Sequence, residues 1–211
     1  MNKLYYLVEL YKKNVGKKAS TILDIGSRDG DDAKYLAEAL HADNVYTFEA
    51  NYSCHFLIRD RYPEFTNIYG AVSDYKGKAM FNRVVSNDWE AVGTSSLKDR
   101  NDAWYDDKAE KVEVPVNTMK NLIVKHSIPL PMDLVKIDTE GCSFEVLTGF
   151  EENIKDVKMF HVENETYAYW NDQKLADEVS ELLLIHGFTM IDERYFGTYS
   201  VDQVWIRSDI I

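Results

Sequence analysis

From Ser20 onward, short apolar runs alternate with segments whose apolar residues recur every three or four positions. Thr21–Ile25 predicts a strand ending at Gly26, and Asp31–Leu40 a helix with an acidic first turn, as the helix dipole favours. Asn44–Phe48 predicts a second strand, Tyr52–Arg61 a second helix stopped by Pro63, and Thr66–Val72 a third strand. Met132–Ile137 is an apolar strand with a helix, Ser143–Phe150, after it. Val157–Val162 is the next strand, then a helix from about Asp172 to His186, closed by His186-Gly187. Phe188–Asp192 and Val201–Arg207 complete the series. Strands alternating with helices imply parallel pairing, a doubly wound α/β sheet with helices on both faces. Before this series, Leu4, Leu7, Val8 and Tyr11 recur at helical spacing, so residues 1–19 should carry a short amphipathic helix lying on the body of the protein.

The middle departs from this alternation. Lys78–Val85 and Lys111–Val116 alternate like a β-hairpin, with a long polar stretch, Ser86–Glu110, between them. Loops of that length inside a compact domain are usually functional or mobile, so residues 78–116 are an expected acceptor lid. Thr118–His126 is helix-like and leads to Pro129 and Pro131. No repeat and no Pro/Gly/Ser linker interrupts the chain, and 211 residues against roughly 150 per domain suggest a single domain over 1–211.

Composition narrows the choice of function. Hydrophobic residues at 45% and charged residues at 28% fit neither disorder nor a membrane protein, and no apolar run approaches a membrane span. The net charge of −12, without a Lys/Arg cluster, sets the surface against nucleic acid. Cys54 and Cys142 match no zinc spacing and read as reduced thiols in an intracellular, cytoplasmic protein.

The strongest local signal is Asp24-Ile-Gly-Ser-Arg-Asp-Gly30, lying between a strand and a helix. Such a turn opens the ligand crevice of a doubly wound sheet. Arg28 breaks the dinucleotide glycine pattern, which disfavours an NAD-dependent oxidoreductase, and a P-loop is missing. Glu49 closes the second strand 19 residues beyond Gly30, where an acid can accept both ribose hydroxyls. Turn and acid together favour an adenosyl ligand without pyrophosphate; the plain alternative is a tight turn and an exposed glutamate.

At these residues the chain resembles the FkbM family. The resemblance is carried by Asp24-Ile-Gly-Ser-Arg-Asp-Gly30, Phe48-Glu49-Ala50, Gly70-Ala-Val-Ser-Asp74, Gly93-Thr-Ser-Ser-Leu97, Val135-Lys-Ile-Asp-Thr-Glu-Gly141 and Glu145-Val-Leu-Thr-Gly149, over about Ile22 to Glu163. It implies an S-adenosylmethionine-dependent O-methyltransferase, often acting on sugar hydroxyls, with a Rossmann-like sheet of seven strands, the last antiparallel. It further implies that Asp24, Gly26, Ser27 and Gly30 cradle the methionine part, Glu49 holds the ribose, and Ala71, Val72 and Ser73 lie near the adenine. Arg28-Asp29 depart from the small residues or Asn commoner in that turn, and nothing after Glu165 matches a motif.

Asp138 and Glu163 should end adjacent strands, with Asn164 following, an all-oxygen set suited to Mg²⁺ or Mn²⁺. That order is also similar to metal-dependent catechol-type and macrolide-sugar O-methyltransferases. The alternative makes Asp138 and Glu163 cap and loop residues. Without a metal, Glu140 or His161 would take the acceptor's proton; His161 shares a strand face with Glu163 but equally suits a core position. Trp89, Trp104, Tyr105, Tyr167 and Trp170 could stack on a sugar ring or merely cover the sheet edge. Seven acids against three bases in Ser86–Glu110 argue against an anionic acceptor. The expectation is therefore methyl transfer from S-adenosylmethionine to a carbohydrate hydroxyl, in a free sugar or glycoconjugate and with a deoxyhexose such as rhamnose as the family's suggestion. A divalent ion would assist. A catalytically inactive adenosyl-binding partner subunit is the rival.

Overall fold

The computed structural model describes residues 3–102, 108–197 and 199–211. Five strands at the positions expected form the parallel part of the main sheet: β1 (Thr21–Ile25), β2 (Asn44–Glu49), β3 (Thr66–Tyr69), β7 (Met132–Ile137) and β8 (Val157–Glu165). Two more, β9 (Phe188–Phe196) and β10 (Ser200–Arg207), complete seven strands in the order β3-β2-β1-β7-β8-β10-β9. β10 runs antiparallel to both neighbours, so the last strand reverses as the resemblance implied.

Helices cover the sheet because each presents one apolar face. On one side, α1 (Tyr5–Asn14) and α2 (Asp31–Ala39) bury Leu7, Tyr11 and Leu36 against Ile22, Leu134, Met159 and Val204. On the other, α5 (Met119–His126), α6 (Ser143–Thr148) and α7 (Ala176–Ile185) set Met119, Val146 and Leu183 against Leu23, Val135, Phe160 and Val162. Starts are chemically marked: Asn51 Oδ1 accepts the Ser53 N–H at 3.1 Å ahead of α3 (Tyr52–Arg61), and Thr118 Oγ1 accepts the Asn121 N–H at 3.3 Å ahead of α5.

Three expectations are corrected. Thr66–Val72 is not one strand: at Gly70 (φ 132°) the chain turns out of the main sheet, and β4 (Ala71–Val72) joins a second sheet with β5 (Gly77–Val84) and β6 (Ala109–Asn117). A Cβ on Gly70 would stand 2.8 Å from the Pro115 carbonyl oxygen, so this crossing requires glycine. The expected hairpin is present as β5–β6, but the stretch between holds a short helix, α4 (Trp89–Gly93), capped by Asp88. Finally, α7 begins four residues later than expected, at Ala176.

Candidate active site

Strand order reverses about β1, with β2 on one side and β7 on the other, and the crevice opens at the carboxyl ends of these strands. There lies a cleft of about 310 Å³, walled by the β1–α2 turn, the ends of β2, β7 and β8, Ala71 and Val72 of β4, and the segment from Glu90 to Leu97. Of the residues expected to bind a cofactor, Gly26, Ser27, Glu49, Ala71 and Val72 line it. Gly26 (φ 85°) is fixed by packing: a Cβ would fall 1.8 Å from the Asp138 carbonyl oxygen, where β1 and β7 converge. Ser27 Oγ donates to the Asp24 carbonyl at 2.6 Å.

Asp24, Gly30 and Ser73 are placed otherwise. Asp24 is fully buried behind the turn, with neither carboxylate oxygen hydrogen-bonded and Lys136 Nζ 3.5 Å from Oδ1. A Cβ on Gly30 would meet Tyr62 and Ile58 of the α3 side, at 3.0 and 3.2 Å, so that glycine serves helix packing. Ser73 is buried beside Asp74, bonding its carboxylate at 3.2 Å, and does not line the cleft.

Glu49 is buried at the end of β2, its Oε2 accepting the Arg28 N–H at 2.8 Å and Oε1 the Asn51 N–H at 2.6 Å. Burial pushes its carboxyl up to about 7 despite these donors. Each oxygen retains lone-pair capacity for a further donor from the cleft.

At the β7 edge stands a residue that the sequence reading passed over. Lys136, on the buried β7, places Nζ 2.8 Å from Asp138, 3.4 Å from Asp32 and 3.5 Å from Asp24. Burial alone would lower its pKa, but Asp138, Asp24 and Asp32 lift it well above the ordinary lysine range. Burial in turn raises Asp138, and Lys136 outweighs it, so Asp138 is held ionised below the usual carboxylate range. A lone cation inside an apolar strand, two residues from an acid, was the signal for this group.

The neighbouring acids behave oppositely. Glu140 is pushed well above its ordinary pKa by burial, with Glu163 and Glu165 adding to it. Glu163 is pushed up first by the charge on Asp138, then by burial. Glu165, buried and accepting a hydrogen bond from Gln173 Nε2, rises by burial to about 7. Asp138, Glu140 and Glu163 line the cleft together with Thr139, whose buried hydroxyl has no partner. The turn that presents them has two successive left-handed residues, Glu140 (φ 38°) and Gly141 (φ 77°). Ser96 Oγ fixes it by donating to the Glu140 carbonyl at 2.7 Å.

The expected ion-binding set does not fit. β8 continues to Glu165, so Glu163 and Asn164 are consecutive strand residues and point to opposite faces. Asn164 is buried and donates to Gln203 Oε1 at 3.1 Å, and the Asp138 carboxylate already holds Lys136. Among the described residues no group of three or more His, Cys, Asp or Glu is placed to hold a metal ion. His161 does share its face with Glu163 but lies beneath α1, outside the cleft lining. Its Nε2 stands 2.9 Å from Tyr6 Oη and 3.2 Å from Asp202.

Of the aromatic candidates, Trp89 donates its indole N–H to Asp29 at 2.9 Å, and beside it Arg28 pairs with Glu90 at 3.4 Å. The two residues that depart from the family turn thus hold α4 over the cleft. Trp170 is buried, packed where a Cβ on Gly141 would come within 2.9 Å. Tyr169 and then Tyr167 and Tyr199 continue outward from it at ring separations of 5.8, 5.4 and 5.7 Å, with Tyr167 58% exposed. Trp104 and Tyr105 lie outside the described residues.

Residues 24–190 match the family described as Methyltransferase FkbM domain. No curated protein matches the chain. Among solved structures, an FkbM methyltransferase from Methylobacillus flagellatus KT is 12% identical with a TM-score of 0.56, over 88% of this chain and 43% of that one. This chain therefore spans less than half of that protein. Magnesium protoporphyrin IX methyltransferase from Synechocystis PCC 6803 is 11% identical (TM-score 0.51, 96% and 77% covered), and M. capricolum TrmK is 13% identical (0.50, 98% and 70%). At such identities the likeness is one of fold.

Proposed function

Because the chain belongs to the FkbM methyltransferase domain family, we propose that it transfers the methyl group of S-adenosylmethionine to a hydroxyl of a neutral sugar. The observation that carries this reading is that one cleft joins Glu49, suited to a ribose, to Glu140 and Glu163, carboxyls poised to exchange a proton. The apolar Phe48, Ala71 and Val72 suit an adenine, and Glu49 suits the ribose hydroxyls. When bound, the cofactor supplies an electrophilic methyl group on a cationic sulfur. The ionised Asp138 gives that end of the cleft a negative potential, which favours a cation there.

A sugar hydroxyl barely ionises at neutral pH and must lose its proton as it attacks. Glu163, with its raised pKa and its place in the lining, is the base we assign, with Glu140 beside it. The raised pKa matters because it makes Glu163 a stronger base than an ordinary carboxylate. Holding the acceptor oxygen in line with the methyl carbon is the larger task, and it falls to the walls of the cleft. We assign that role to α4 and the segment after it, whose Glu90, Val92, Gly93 and Thr94 line the cleft.

A neutral acceptor accords with the net charge of −12, which opposes nucleic acid. Two free, buried cysteines accord with a reducing cytoplasm, and no helix among the described residues is long and apolar enough to cross a membrane. The test is mass spectrometry of neutral mono- and oligosaccharides, rhamnosides among them, after incubation with the protein and S-adenosylmethionine. Addition of one methyl group to a hydroxyl supports the reading. Tight cofactor binding with no methylated product from any glycan would favour the inactive binding subunit, and methylated RNA in a parallel sample would overturn the acceptor class.

A further inference from the structure

The structure assigns Lys3 as the cation that receives the carboxylate of the cofactor's amino-acid end, an assignment resting on the S-adenosylmethionine reading above. Among the described residues three cations line the cleft: Lys3, Arg28 and Lys136. The sulfonium and ammonium of the ligand suit the acids around them, but its carboxylate enters a cleft rich in like charge and needs a cation to meet it.

Lys136 is poorly placed to serve. It is 3% exposed and already held among Asp24, Asp32 and Asp138. Arg28 is engaged elsewhere: its backbone N–H bonds Glu49, and its guanidinium sits between Asp29 and Glu90 at 3.9 and 3.4 Å, tying the turn to α4.

Lys3 differs on each count. Its side chain is 58% exposed and reaches Asp32 at 3.2 Å. Asp32 also faces Lys136, so it keeps a cationic partner if Lys3 swings to a ligand. The flexible stem of a lysine allows that exchange. Its backbone, by contrast, is anchored: Leu4 beside it is buried, and Leu7, Val8 and Tyr11 fasten α1 to the sheet. The link from Asp32 through Lys136 to Asp138 places Lys3 on the β7 side of the crevice, away from Glu49 across β1. The helix laid over the sheet ahead of β1 thus delivers a binding group and is part of the site.

Titration calorimetry on the full chain, with S-adenosylmethionine and its decarboxylated analogue, tests this. The analogue keeps the sulfonium and ammonium and lacks only the carboxylate. The wild-type protein should prefer S-adenosylmethionine about tenfold, the scale of one charge-assisted hydrogen bond. Lys3→Ala should erase that preference while leaving the analogue's affinity unchanged, and Lys3→Arg should keep most of it. Equal weakening of both ligands in Lys3→Ala, no change in either, or loss of the preference in Arg28→Ala instead would overturn the assignment. Equal wild-type affinity for the two ligands would overturn Lys3 alone, whereas binding of neither would remove the adenosyl reading as well.

Discussion

Lys136 Nζ, near the end of β7, lies 2.8 Å from Oδ2 of Asp138, the residue just past that strand. Because β7 lies between β1 and β8, Lys136 is only 3% exposed, while Asp138, at 23%, also faces the cleft. The same ammonium faces Asp24 and Asp32, so one cation organises three carboxylates. Removing one partner of a buried pair costs more than the pair itself contributes, because the other charges are left stranded. Lys136→Met should therefore destabilise the fold by about 3–5 kcal/mol in urea denaturation. Adding Asp138→Asn should recover part of the loss; a loss below about 1 kcal/mol would show that these acids do not depend on Lys136.

Glu49 gives a dependence on pH whose sign is fixed. Burial raises its carboxyl from 4.5 to about 7, so the folded state holds a proton that the unfolded state releases between those values. The stabilising contribution is complete below about 4.5 and is lost as pH rises through about 7. Cofactor affinity should move the other way, since ribose hydroxyls donate best to the ionised carboxylate. Calorimetry from pH 5.5 to 8.5 should show affinity rising and then levelling above about 7, with Glu49→Gln flat and weaker. A flat wild-type profile would take Glu49 out of the ribose site.

Glu163→Gln keeps the shape of the group and abolishes its exchange of a proton. With a sugar acceptor, turnover should fall by about two orders of magnitude while cofactor affinity changes less than twofold. Retained turnover in Glu163→Gln with loss in Glu140→Gln would move the base to Glu140.

The placement of Asn164 behind the sheet and of Lys136 on Asp138 leads to a further expectation. Turnover should be the same in EDTA as in added Mg²⁺, as read by formation of S-adenosylhomocysteine. Loss of activity in EDTA with recovery by Mg²⁺ would mean that a divalent ion is held by groups other than the set Asp138, Glu163 and Asn164.

His161 should prove structural. Its imidazole shares a buried network with Tyr6 and Asp202, and Tyr6 Oη donates to Asp202 at 3.1 Å. His161→Phe should cost about 1–3 kcal/mol in thermal or urea unfolding through the polar groups left unpaired, with unchanged turnover per folded molecule. A turnover loss without a stability loss would restore His161 as a base.

Much of this architecture was legible from patterning, for identifiable reasons. Apolar runs such as Met132–Ile137 read as buried strands, and the Asp24–Gly30 turn followed by Glu49 marked the crevice. What escaped depended on distance across the fold. The length of β8 is set by pairing with β10, which places Ser200 opposite Glu165, and that pairing carries Asn164 to the far face. Gly70 looks like an interior strand glycine until Pro115 closes on it. Lys136 went unread in the sequence because its three acids come from β1, α2 and the residue just past β7. The roles of Arg28 and Asp29 became readable only when α4 supplied Glu90 and Trp89.

The antiparallel strand carries a consequence for synthesis. β10 follows β9 in the chain yet occupies the slot between β8 and β9. Until Ser200–Arg207 has left the ribosome, β8 is an open edge whose backbone donors and acceptors lack their β10 partners, a template for pairing with another nascent chain. Folding must therefore wait on the final strand, and a chain arrested after Phe196 should be captured by holdase chaperones and cut readily by proteases, while one arrested well beyond Arg207 should resist both.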